Sequence, residues 1–106
     1  MFARRVAMVL KPDSAADFTQ RLEEKVLPLL RKQKGFQDEL TCISADGTRA
    51  FGLSLWDEKE NAEAYVRDTY PEVTKILSDV IEGSPKIYTY FVANSTFHKI
   101  ASSVTA

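Results

Sequence analysis

The chain is short of the residues that most often build chemistry. It has one cysteine, Cys42, and one histidine, His98. A single cysteine excludes an internal disulfide and a cysteine-rich metal site, and it fits a reducing, cytoplasmic setting. Charge of one sign is also missing: 14 Lys and Arg stand against 15 Asp and Glu, net −1. Without a run of one sign there is no electrostatic footprint for nucleic acid and no basic amphipathic face for a lipid surface. No apolar run approaches the roughly 20 residues of a membrane span. The opening MFARRVAMVLKPDS places two arginines before apolar residues, but the apolar part is too short for a signal peptide and a Lys-Pro-Asp turn follows it. No metal-ligand cluster, acid/base dyad, nucleophile elbow or phosphate loop stands in the sequence. A length of 106 residues makes one domain, and a small one, which buries a smaller share of its surface than a large one.

What is present is a clear alternation of strand and helix patterns. Residues 3–11, ARRVAMVLK, are β-rich and bounded by Pro12. Ser14 reads as a helix N-cap with Asp17 as its capping-box partner. Phe18, Leu22, Val26, Leu29 and Leu30 then share one helix face. Pro28 lies inside that pattern and is expected to kink or break the helix near Val26–Leu27, and Gly35 supplies a stop. FQDELTCIS (36–44) and RAFGLSLW (49–56) read as strands joined by the turn ADGT, with Gly47 where positive φ is needed. Asp57 is expected to cap a helix running to about Thr69, with Glu60 at the capping-box position. Pro71 then opens another helix, with Val73, Ile76, Leu77, Val80 and Ile81 as its apolar face and Gly83-Ser84-Pro85 as its end. KIYTYFVAN (86–94) reads as the last strand. The order is β-α-β-β-α-α-β: a ferredoxin-like α+β fold, βαββαβ with a split second helix, carrying an antiparallel four-stranded sheet with helices on one face. Residues 1–94 form this domain. Residues 95–106 form a C-terminal tail expected to dock on the domain or on a partner subunit.

The strands are apolar on both sides. Phe51, Leu53 and Leu55 share one face of the third strand while Trp56 lies on the other, and the first strand is apolar throughout Val6 to Leu10. An antiparallel sheet with one wet face alternates more cleanly. One helical layer covers one face, and leaving several such side chains wet costs several kcal/mol at roughly 25 cal/mol per Å². The simplest second cover is another copy of the same sheet, an isologous homodimer.

The element order, the third strand ending in Trp-Asp and the helix of WDEKENAEAYVRDTYPEV, together with LKPDSAADF and PLLRKQKGF, resemble the dimeric α+β barrel superfamily. Within it the chain is similar to the antibiotic-biosynthesis-monooxygenase-like proteins, over roughly residues 3–94. The resemblance implies a homodimeric barrel and a pocket between each sheet and its helices. It also implies either cofactor-independent oxidation of an aromatic or quinone-like substrate by O₂, or haem degradation. The haem-degrading members use an asparagine on the first strand, a helical tryptophan and a histidine. The matching positions here are an asparagine-free first strand, Tyr65 and Lys75, which disfavours haem. The expectation is therefore a small-molecule pocket protein without cofactor or metal. The alternative is a non-catalytic ligand-binding or structural homodimer with a filled pocket.

Phe18, Leu22, Trp56 and Tyr65 are the candidates for shaping a ligand pocket. For Trp56 and Tyr65 the competing reading is a core aromatic pair that joins strand to helix. Tyr88 and Tyr90 share a strand face and either orient a substrate phenol or fill the dimer barrel. His98 has a pKa suited to proton transfer near neutral pH, and with Tyr90 it is the candidate for catalysis. A lone histidine in a tail is more often structural or solvent-facing.

Overall fold

The computed structural model describes residues 1–97. The elements are β1 (Phe2–Leu10), α1 (Ala15–Arg21), a π-helical turn (Leu22–Val26), α2 (Leu27–Arg31), β2 (Phe36–Ile43), β3 (Arg49–Trp56), α3 (Lys59–Asp68), α4 (Tyr70–Leu77) and β4 (Ile81–Phe91). The four strands form one antiparallel sheet in the order β2-β3-β1-β4. This is the ferredoxin-like arrangement, with the helices on one face.

The register assigns the faces. Phe2, Arg4, Val6 and Met8 of β1 stand opposite Trp56, Ser54, Gly52 and Ala50 of β3. These residues point toward the helices, where Phe18 and Trp56 are fully buried and Val26, Leu30, Val73 and Leu77 close the core. The other face carries Ala3, Arg5, Ala7 and Val9 of β1 opposite Leu55, Leu53, Phe51 and Arg49 of β3. Leu40 and Cys42 continue that face on β2, and Tyr88 and Tyr90 continue it on β4.

The first helix absorbs its proline through a wide turn. The amide of Leu27 bonds the carbonyl of Leu22, five residues back, so Pro28, which has no N–H, falls in the first turn of α2. The irregularity is thus a π turn over Leu22–Val26, and the helical path continues through it. Arg21 ties this segment to the end of α4 by donating to Asp17, to Asp79 and to the carbonyl of Ile76.

Several boundaries differ from the sequence expectations. Neither expected capping box forms. The Ser14 hydroxyl donates to the Pro12 carbonyl and Asp17 pairs with Arg21. The N-cap of α3 is Glu58, not Asp57. Asp57 instead accepts a hydrogen bond from the Asn61 side chain at 2.8 Å, and its amide donates to the Gly35 carbonyl at 2.9 Å. That contact explains Gly35, whose φ is +79° and whose missing Cβ would run into Asp57 and Asn61. Helix α4 ends at Leu77, earlier than expected, and Gly83-Ser84-Pro85 lie within β4 and do not end a helix. Val80 and Ile81 are buried, but in a turn and at the start of a strand. There Ile81 pairs with Leu10 and Glu82 with Val9, before a bulge whose Gly83 takes φ +66°. The helical period ran past the true end because the core-facing residues of the turn happen to keep it.

Candidate functional site

Between the helix-facing side of the sheet and the helices lies a cavity of about 480 Å³. Its walls are mostly apolar: Val6 and Met8 from β1, Phe18 from α1, Leu22 at the π turn, and Val73 and Leu77 from α4. Wide helical turns of this kind recur at functional sites because they displace a side chain from the regular ladder. Gly52, at the middle of β3, also lines the cavity. A Cβ there would meet only Glu39 Oε1 at 3.5 Å and Thr41 Oγ1 at 4.0 Å, so glycine leaves space in the floor rather than relieving a clash.

The polar groups are few and placed in rows. Glu39, Ser54 and Arg4 pair in register across β2, β3 and β1. With neighbouring strands about 4.8 Å apart, the Glu39 and Arg4 backbones stand roughly 10 Å apart, on either side of Ser54. The hydroxyl of Thr41 donates to the Glu39 carboxylate. Burial pushes the Glu39 carboxyl above its ordinary value; the Thr41 hydrogen bond opposes this and the charge of Asp38 adds to it. Arg4 is 4% exposed. Its guanidinium lies 4.2 Å from the ring centroid of Tyr70 and 5.8 Å from that of Tyr65. Tyr65 lines the cavity from α3, and burial pushes its phenol up to about 12, against the opposing pull of the Arg4 charge.

The sequence candidates separate in three dimensions. Phe18, Leu22 and Tyr65 line the cavity. Trp56 does not: it is fully buried behind the wall, with its ring 5.2 Å from Tyr65 and 5.6 Å from Phe36. Its indole N–H donates to the Ser54 hydroxyl at 2.9 Å. The two rings touch, and only Tyr65 reaches the cavity. Tyr90, considered for catalysis, pairs with Ala3 on the opposite face of the sheet and cannot reach the cavity. His98 lies outside the described residues, as does most of the tail. Among the described residues no cluster of His, Cys, Asp and Glu could hold a metal, and no helix is long and apolar enough to cross a membrane.

Arg4, Glu39, Thr41 and Tyr70 were not legible as site residues. Arg4 sits in a sequence of two adjacent arginines near the chain start, and only the strand parity, Arg4 in and Arg5 out, separates them. Glu39 on an amphipathic strand looks like a wet charge until the bulge between Phe36 and Asp38 turns it toward the helices.

The fold is shared with solved structures described as antibiotic biosynthesis monooxygenases. Three solved structures illustrate the likeness. One is a protein of Bordetella bronchiseptica classed with the antibiotic biosynthesis monooxygenases, 16% identical, TM-score 0.75, with 86% of this chain and 95% of that one covered. The second is the monooxygenase ActVA-Orf6 of Streptomyces coelicolor in complex with nanaomycin D, 21% identical, TM-score 0.73, covering 89% and 88%. The third is a mutant of SnoaB, a cofactor-independent oxygenase of Streptomyces nogalater, 9% identical, TM-score 0.73, covering 90% and 95%. No protein-family model and no curated protein sequence matches the chain.

Proposed function

We propose that the protein is a cofactor-independent monooxygenase acting on an aromatic, phenol- or quinol-like substrate. The observation that carries this reading is the cavity itself: about 480 Å³, apolar in the main, with Arg4, Glu39, Thr41 and Tyr65 converging on it. Volumes of this order suit a small-molecule ligand, and they speak against the alternative of a structural dimer whose pocket is filled by side chains. The fold shared with ActVA-Orf6 and SnoaB is consistent with the same chemistry. In this reaction the substrate phenol gives its proton to Glu39, and the ring carbanion passes one electron to O₂. The resulting radical pair combines to a peroxide anion, which takes the proton back from Glu39 and loses water to leave a quinone, so one phenol and one O₂ yield one quinone and one water. A carboxylate whose proton affinity is raised by burial is a better base near neutral pH than an exposed one. The test is oxygen uptake by the intact protein with a panel of polycyclic phenols, with and without added flavin or metal. Quinone formation without additives is expected. A strict need for an added cofactor would refute the reading.

The same reading includes a homodimer formed through the open sheet face. That face exposes Leu40 at 58%, Val9 and Tyr90 at 45% each, and Tyr88 at 40%. The Arg5 guanidinium stacks on Tyr88 at 4.5 Å while its buried Nε lacks a hydrogen-bond acceptor. A second copy of the sheet would cover the apolar side chains, and the exposed patch is of the kind that marks an interface.

A further inference from the structure

Arg4 is a buried cation lining the cavity, and among the described residues nothing of opposite charge stands beside it. Its Nη2 is buried and has no hydrogen-bond partner. No ion pair to it forms among the described residues. Its neighbours are the faces of two tyrosine rings, Tyr70 at 4.2 Å and Tyr65 at 5.8 Å, which attract a cation but accept no hydrogen bond in its plane. The carboxylate on the same sheet face, Glu39, is two strands away and is engaged by Thr41. A buried guanidinium in this state is unfavourable unless an anion completes it, and buried donors without acceptors are uncommon enough to call for an explanation. The cavity that opens on Arg4 offers one. Its floor between the Glu39 and Arg4 rows is made by Gly52 and Ser54, a narrow, nearly side-chain-free strip that suits a flat ring. The walls above it are aromatic and aliphatic.

We propose that Arg4 is the counter-charge for an aromatic anion, a flat ring system bearing one ionised oxygen, and that the cavity selects such anions over neutral rings of the same shape. The proposal rests on the aromatic-ligand reading above and specifies the charge of the ligand. An aromatic carboxylate and an ionised phenol share this chemistry. In either case the oxygen meets the guanidinium of Arg4 and the ring lies over Gly52 and Ser54. Arg4 binds and orients the ligand; the proposal gives it no proton transfer.

The experiment uses the intact protein at neutral pH and three probes of like shape: 2-naphthoate, 2-naphthol and 2-naphthylmethanol. Binding is read by calorimetry and by the fluorescence of Trp56, the single tryptophan, which packs on Tyr65. The carboxylate is expected to bind at least tenfold more tightly than the alcohol, about 1.4 kcal/mol. The naphthol should gain on the alcohol only where the pH ionises it, which separates the phenolate source from the carboxylate source. Arg4→Gln should remove the preference, with the carboxylate losing at least tenfold more affinity than the alcohol, and Arg4→Lys should retain part of it. The thermal midpoint of Arg4→Gln without ligand should be no lower than wild type, because a buried charge without a partner has been removed. Equal binding of carboxylate and alcohol to wild type would overturn the proposal without needing any variant, as would a preference that survives Arg4→Gln. Anion-selective binding without oxygen uptake would leave this proposal standing and refute the oxygenase reading. Oxygen uptake with equal binding of the carboxylate and the alcohol would do the reverse. Failure of all three probes to bind would overturn this proposal and leave the oxygenase reading to the oxygen-uptake test.

Discussion

Truncating Trp56 to alanine tests whether the site stands on this ring or merely contains it. Trp56 is fully buried, contacts Phe36 and Tyr65, and donates from its indole to Ser54. A large aromatic buries roughly 150–250 Å². At about 25 cal/mol per Å² that is about 4–6 kcal/mol, and a compact unfolded chain lowers it by roughly 10–40%. The result agrees with the roughly 3–5 kcal/mol measured for large core truncations. The lost indole hydrogen bond adds about 0.5–1.5 kcal/mol. A domain of this size has about 5–15 kcal/mol of total stability, so Trp56→Ala should leave a barely folded protein, with a Tm lower by at least ~12 °C. Tyr65→Phe is the companion variant. It keeps the ring that packs on Trp56 and removes only the hydroxyl, so stability should change by less than about 1 kcal/mol. Binding of an aromatic ligand should nevertheless weaken by a comparable amount. Urea unfolding followed by far-ultraviolet circular dichroism measures both, since the fluorescent reporter is lost in the first variant. A loss below about 1 kcal/mol for Trp56→Ala would refute the packing argument. A large stability loss for Tyr65→Phe would show that the hydroxyl is structural.

Three further outcomes are expected. Gly35→Ala should destabilise by more than the roughly 1 kcal/mol of a positive-φ substitution, because its Cβ meets Asp57 and Asn61; a neutral urea midpoint would contradict this. Burial holds the Glu39 carboxyl above its ordinary 4.5, so the folded state binds the proton more tightly than the unfolded chain does. The stability from this group is complete below 4.5 and is lost as pH rises through the folded value. Glu39→Gln should therefore gain on wild type in urea midpoint between about pH 4 and about pH 8, and a gain in the opposite direction would refute the sign. Leu53→Asp, on the open sheet face beside Arg5 and Leu40, should convert a sedimenting dimer to monomer at micromolar concentration; a monomeric wild type would remove the dimer from the proposal.

The sequence alone determined the architecture, since alternation at period two and spacing at three and four are properties of local backbone geometry. They placed β1, α1, β2, β3 and α3 to within a few residues. They also placed Phe51, Leu53 and Leu55 on a face apart from Trp56. Local pattern failed where tertiary contact decided. Val80 and Ile81 kept a helical period but belong to a turn and a strand, because pairing with Leu10 and the bulge at Gly83 outweighed helix propensity. Asp57 had a capping residue's identity, but Asn61 and the Gly35 loop claimed its polar groups. The site was less legible than the fold. Phe18, Leu22 and Tyr65 follow from apolar periodicity, which cannot say whether a face ends against side chains or against a cavity. Arg4 and Glu39 were invisible for a different reason. Nothing local distinguishes a buried charge from a solvated one, and only the assembled sheet, with the helices over one face and Gly52 between the two charged rows, puts them on the same cavity.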